Sequence, residues 1–242
     1  MTLREIGTVK TINRFPVKSF GGEALQSAEL KWSGLEGDRQ YAFHKATDGS
    51  RFPWLTGRAV PKLNTYVARF TDRDNPRKSA VRISAAGRDY DLRDEVLRQR
   101  LSEAAGEEVR LIQIGRGIFD TMPVSVMATA TPKLVEAATG VPIDPRRFRA
   151  NIVIQTPEGE AARETHWVGG TLVFGNNPEP ARLLVSAPID RCAMITIDPD
   201  TGERNPAILR TVVEKFDNFI ASRCSPAALG RINIGDRVRL ER

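Results

Sequence analysis

Apolar and polar positions alternate in short runs through the first ninety residues. Residues 6–17 are rich in β-branched side chains and close at Pro16, residues 24–32 alternate, residues 40–45 carry Tyr41 and Phe43, and residues 79–92 turn at Ala86-Gly87. This pattern predicts a mainly β first unit. Residues 51–63 contain Pro53, Gly57 and Pro61, which break both periodicities and predict a long loop of the kind that often carries function. At residues 94–105 the period lengthens: Val96, Leu97, Leu101 and Ala104 fall at helical spacing, and Gly106 is placed to end the helix. Residues 107–114 return to a strand pattern, and Gly115-Arg116-Gly117 marks a junction near residue 116.

In the second half, Thr131-Pro132 predicts a helix start, with threonine capping and proline in the first helical position, and Gly140 its end. Strands are predicted at residues 151–155, 171–175, 181–187, 193–197 and 237–240, and a last helix at residues 206–216. The expected fold class is therefore strand-rich α+β, a β-barrel with peripheral helices, divided into residues 1–115 and residues 116–242.

Composition narrows the function classes. The 242 residues are 40% hydrophobic and 27% charged, the range of an ordinary globular chain. The net charge of +6 falls mostly in the first half, but acids are interspersed throughout, so a mixed solvated surface is expected rather than nucleic-acid binding. No uncharged stretch approaches the roughly twenty apolar residues of a membrane span. Arg4 and Glu5 fall where a secretory signal needs an apolar core, so a cytoplasmic location is expected. Two cysteines, Cys192 and Cys224, and two histidines, His44 and His166, are too few for a disulfide framework or a four-ligand zinc site. A metal would have to use few protein ligands. No phosphate-binding GxxxxGK[ST] loop occurs, and Gly115-Arg116-Gly117 lacks the third glycine of a dinucleotide fingerprint.

Four segments carry candidate chemistry. Cys192 ends the segment Pro188-Ile189-Asp190-Arg191-Cys192, ahead of the turn-forming Asp198-Pro199-Asp200-Thr201-Gly202. As thiolate, a cysteine is a nucleophile and a soft-metal ligand, although a cysteine among apolar residues is more often an inert core side chain, and Cys224 shares that ambiguity. Phe148-Arg149-Ala150-Asn151 leads into the apolar run Ile152-Val153-Ile154, and period two puts Arg149 and Asn151 on one face. There a guanidinium could fork onto a phosphate and a carboxamide could read a heterocycle edge. Lys18 in Pro16-Val17-Lys18-Ser19 and Arg39 in Gly37-Asp38-Arg39 offer further cations to an anion, or plain surface charge.

Taken in order, Phe15-Pro16-Val17-Lys18-Ser19, Gly37-Asp38-Arg39, Pro61-Lys62-Leu63, Phe148-Arg149-Ala150-Asn151-Ile152, Arg191-Cys192 with its following turn, and Gly230-Arg231-Ile232-Asn233-Ile234-Gly235-Asp236 resemble the MOSC family. The architecture resembles the mitochondrial amidoxime reducing component and its bacterial counterparts. That resemblance implies an N-terminal β-barrel-like domain over residues 1–115 and a MOSC domain over residues 116–242. It implies the molybdenum cofactor (Mo-molybdopterin), with Cys192 as catalytic metal ligand and Lys18, Ser19, Arg39, Thr121, Arg149, Asn151 and Arg191 around the pterin and its phosphate. Asp120, beside Thr121, would accept from a pterin nitrogen. Ala150, Asp190 and Phe219 depart from the family pattern, where proline, serine and tyrosine are common.

The implied activity is that of an oxidoreductase reducing N-hydroxylated compounds such as amidoximes, hydroxylamines and N-hydroxylated bases. Two cysteines cannot hold the four-cysteine iron–sulfur cluster fused to some relatives. Electrons are therefore expected from a separate ferredoxin, flavodoxin or cytochrome b5-like donor with its reductase. The alternative is a sulfur carrier in which Cys192 bears a persulfide for cofactor or metal–sulfur assembly.

Overall fold

The computed structural model describes residues 2–242. The chain runs β1 (Leu3–Arg14), β2 (Glu23–Leu25), β3 (Ser27–Lys31), β4 (Gly34–Leu35), β5 (Tyr41–Lys45), β6 (Val67–Phe70), β7 (Val81–Ala85), β8 (Arg88–Asp91), α1 (Glu95–Ala105) and β9 (Val109–Gln113). It continues with β10 (Val124–Ala128), α2 (Ala130–Thr139), β11 (Ile152–Gln155), β12 (Thr171–Phe174), β13 (Arg182–Asp190), α3 (Pro206–Phe216), β14 (Phe219–Ala228), β15 (Gly230–Asn233) and β16 (Arg237–Glu241). No helix among the described residues is long and apolar enough to cross a membrane.

The strand-rich α+β expectation holds, and its centre is a closed seven-strand barrel. Strands β11, β10, β14, β13, β12, β16 and β1 are hydrogen-bonded neighbours in that order, and β1 returns to β11 with Thr8 opposite Gln155 and Ile12 opposite Ile152. All these pairings are antiparallel except β10–β11. Six of the seven strands lie beyond residue 116, and β1 closes the barrel from the chain's start. Closure depends on Gly7, because a Cβ there would lie 1.9 Å from the Gln155 carbonyl oxygen. The inward-facing residues, among them Ile6, Val9, Ile12, Trp167, Phe174 and Leu183, form one buried core.

In the rest of the first half, β2 pairs with β1 at the edge of the barrel sheet, β3 and β4 form a small sheet with β15 from the second half, and β5-β9 and β6-β7-β8 form two more, with α1 packed over a second core around Phe20, Phe43, Leu63, Leu97 and Leu101. A third core joins α2 and α3 to the barrel through Val135, Phe148, Ile195 and Val212. Helix ends follow local chemistry. Asp94 caps α1 by accepting from Val96 N–H at 2.8 Å, and Gly106 ends it at φ 72°. Asn205 caps α3 in the same way, accepting from Ala207 N–H at 3.1 Å.

Three local expectations are corrected. Residues 193–197 form a 3-10 helix, Ala193–Thr196, rather than a strand. Their β-branched side chains still reach the core, but Arg147 takes the Thr196 carbonyl (3.0 Å) and Thr196 Oγ1 donates to the Ala193 carbonyl (2.7 Å), so the segment bonds locally. Helix α2 starts at Ala130, not Pro132, because Thr131 Oγ1 is spent on Glu164 (2.6 Å) and proline is tolerated where the first amides have no helical partner. Arg149 and Asn151 are not consecutive on a strand face. Arg149 ends the 3-10 helix Pro145–Phe148 in the left-handed region, φ 53°, and β11 begins only at Ile152.

Candidate functional site

A cleft of about 480 Å³ opens beside the barrel, lined by Lys18, Ser19, Arg39, Asp120, Thr121, Arg149, Asn151, Arg191 and Cys192. Every candidate that the sequence motifs nominated thus lines one recess, although the residues span positions 18 to 192. Lys18 and Ser19 sit on the turn after β1, tied down by Lys18 N–H donating to the Tyr41 carbonyl at 2.8 Å. Arg39 is fixed by its N–H to the Phe15 carbonyl (2.7 Å) and by Ile118 N–H to its own carbonyl (2.8 Å). Ser19, Arg39 and Arg149 all have positive φ (66°, 49° and 53°), a costly conformation for side chains with a Cβ that tends to collect at functional sites.

Cations outnumber anions here. Lys18 Nζ pairs with the Asp120 carboxylate, and Arg39 Nη1 with that of Asp38. Arg149 donates from Nη1 to the Phe20 carbonyl at 2.7 Å and lies 4.3 Å over the Phe15 ring. Arg191 donates from Nη2 to the Phe148 carbonyl at 3.0 Å. Burial is the main cause lowering the pKa of Lys18, Arg149 and Arg191. The neighbouring Arg39 lowers all three further, while Asp120 opposes the shift at Lys18. Arg149 Nη2 and Arg191 Nε are buried without hydrogen-bond partners. Such a wall gains from an anion that supplies acceptors.

Asn151 is only 1% exposed, and its carboxamide acts as a clamp. Its Oδ1 accepts from Ser125 N–H (3.1 Å), Ser125 Oγ (2.9 Å) and Arg39 Nη1 (3.3 Å), and its Nδ2 donates to the Asn13 carbonyl (3.2 Å). It joins β10, β11 and β1 and steers Arg39.

The two cysteines separate cleanly. Cys192 is exposed, capping the 3-10 helix whose far end Arg147 anchors through the Thr196 carbonyl and the Asp198 carboxylate (2.7 Å). Cys224 is 0% exposed inside the barrel, where burial pushes its thiol pKa up. Among the described residues no three His, Cys, Asp or Glu side chains gather as a metal site.

Other lining residues were not nominated from sequence. Phe52 and Arg58 come from the loop flagged at residues 51–63, with Lys18 and Arg58 at 5.4 and 5.2 Å from the Phe52 ring. Ser125, Met122 and Met194 left no motif, because their place depends on how distant segments pack.

Family models match almost the whole chain: a MOSC N-terminal beta barrel domain at residues 6–111 and a MOSC domain at residues 115–239. The chain belongs to the MOSC family. The cleft draws on both MOSC matches, taking Lys18, Ser19 and Arg39 from the first and Arg149, Asn151, Arg191 and Cys192 from the second. A molybdenum cofactor sulfurase of Bombyx mori is 30% identical over 90 residues, which are 37% of this chain and 10% of that protein. The match therefore covers about a tenth of the relative's length. The YUAD protein of Bacillus subtilis superposes with a TM-score of 0.47 at 14% identity, over 99% of this chain and 96% of that one.

Proposed function

We propose that this MOSC protein binds the molybdenum cofactor in the cleft and reduces N-hydroxylated small molecules, with electrons from a separate donor protein in the cytoplasm. The observation that carries the reading is the pairing of an exposed thiol, Cys192, with an excess of cations in one recess. The residues fit the group: a pterin dithiolene with its phosphate is anionic, and Arg149 Nη2 and Arg191 Nε are buried donors awaiting acceptors.

In this reading Cys192 ligates the metal as a soft thiolate. Lys18, Ser19, Arg39, Arg149 and Arg191 hold the phosphate and orient the pterin, with Asp120 and Thr121 at the rim. Asn151 contributes by holding Arg39 and Ser125 in place. When bound, the cofactor supplies the two-electron couple that, with two protons, turns R–NHOH into R–NH2 and water. Phe52, Met122 and Met194 would then give the substrate an apolar wall and help exclude water.

The test is single-vessel turnover of an aryl amidoxime by cofactor-loaded protein with a reduced viologen as electron source. Stoichiometric amidine that disappears in Cys192→Ser supports the proposal, whereas full turnover by that variant, or none by loaded wild type, overturns it. The exposed Cys192 thiol also favours a second reading, a persulfide-bearing sulfur carrier. That reading predicts labile sulfane sulfur on Cys192 and no bound metal.

A further inference from the structure

A second recess lies on the other side of Arg149. It encloses about 680 Å³ between β1, β2, β6 and α2, and Arg149 is the one lining residue it shares with the cleft. The walls are largely apolar, with Phe15, Val67, Pro132, Ile143, Ala150 and Val153 among them. This volume falls within the range of sites that enclose small organic molecules.

Most charges on its lining are committed elsewhere. Glu23 takes the guanidinium of Arg14, Glu136 accepts from Ile143 N–H, Lys133 pairs with Glu158, and Arg146 pairs with Asp144 and Asp200. Lys10 is exposed, so its ammonium is already hydrated. Of the remaining lining side chains, two keep a buried atom without a hydrogen-bond partner: Arg149 at Nη2, on the side shared with the cleft, and Asn64, only 5% exposed, at Oδ1.

Asn64 belongs to the 3-10 helix Pro61–Thr65, which is pinned by Leu63 N–H to the Val60 carbonyl (3.0 Å) and Tyr66 N–H to the Leu63 carbonyl (3.1 Å). Its backbone is therefore held at the wall, while the carboxamide torsion remains soft enough to turn the oxygen toward an occupant. A buried acceptor left unmatched costs free energy that an incoming donor recovers. Apolar walls around one such acceptor select for a mainly apolar molecule that brings a donor.

We propose that this recess is a binding site, separate from the cleft, for a mainly apolar small molecule that carries one hydroxyl or N–H donor, received by Asn64 Oδ1. The proposal does not depend on what the cleft binds. Arg149 lies against both spaces, so it is the one side chain through which an occupant would touch the cleft directly.

The test titrates the full chain with 1-octanol and with octyl methyl ether, which lacks the donor, and follows backbone amide shifts by NMR. Saturable shifts are expected at Gly21, Gly22, Val67 and Val153, with octanol bound about fivefold more tightly than the ether. Asn64→Leu should equalise the two. Ala24→Trp, at an exposed lining position that leaves the core untouched, should abolish saturation by both. The proposal is overturned if wild type shows no saturable shifts at these amides, if Ala24→Trp binds as wild type does, or if folded Asn64→Leu keeps the preference for octanol.

Discussion

Lys18 and Asp120, 102 residues apart in sequence, meet in an ion pair at the cleft mouth. The two partners are unequal: the Lys18 side chain is 8% exposed and that of Asp120 65%. Burial thus outweighs the attraction, and the Lys18 pKa lies below its ordinary 10.5.

The sign of that shift gives a pH test. Because the folded protein holds the Lys18 proton less tightly than the unfolded chain, this residue's contribution to stability rises as pH passes from the lowered value toward 10.5. Lys18→Met should therefore melt above wild type at pH 7, with the gap narrowing as pH is raised. A melting temperature at or below wild type at pH 7 would show that the ion pair, not burial, dominates.

Asn151→Ala should cost about 3 kcal/mol in urea unfolding. It strips partners from Ser125 N–H and the Asn13 carbonyl inside the barrel wall, and buried groups left unpaired cost about 1–3 kcal/mol each. A loss under about 1 kcal/mol would mean that the clamp is not structural.

Glu164 is a fully buried carboxylate that stands in none of the sequence motifs. Its Oε2 accepts from Ala128 N–H (2.9 Å) and Thr131 Oγ1 (2.6 Å), and its Oε1 from Ala221 N–H (2.6 Å), tying β10, α2 and β14 together. Glu164→Gln turns an amide N–H toward one of those donors and should destabilise by about 3 kcal/mol. Unchanged thermal stability would refute this role.

Iodoacetamide should separate the cysteines. In the folded protein Cys192 is alkylated, while Cys224, with no exposure and a pKa raised by burial, stays unmodified until denaturant is added. Peptide mass spectrometry reads both sites, and early modification of Cys224 would contradict the buried placement.

Legibility followed the range of the interactions involved. Helix α3 is predicted to the residue because Asn205, Pro206 and the apolar spacing act within a few positions. β14 leaves no comparable signal: it carries Arg223, Ser225 and Pro226 and a positive φ at Ala221, and its strand character comes from pairing with β10 and β13. The same divide runs through the cleft. Lys18, Arg39, Arg149, Arg191 and Cys192 stand in motifs that can be read along the chain, whereas Ser125 acquires its role only when β10 meets Asn151. The commitment of the Asn151 carboxamide to neighbouring strands is likewise a tertiary fact.

The most direct test of the central claim is the metal content of protein purified from cells that synthesise the cofactor, with released pterin measured by its fluorescence after oxidation. Near one molybdenum and one pterin per wild-type chain are expected, with the metal lost from folded Cys192→Ser. A well-folded wild type carrying neither metal nor pterin would contradict the account.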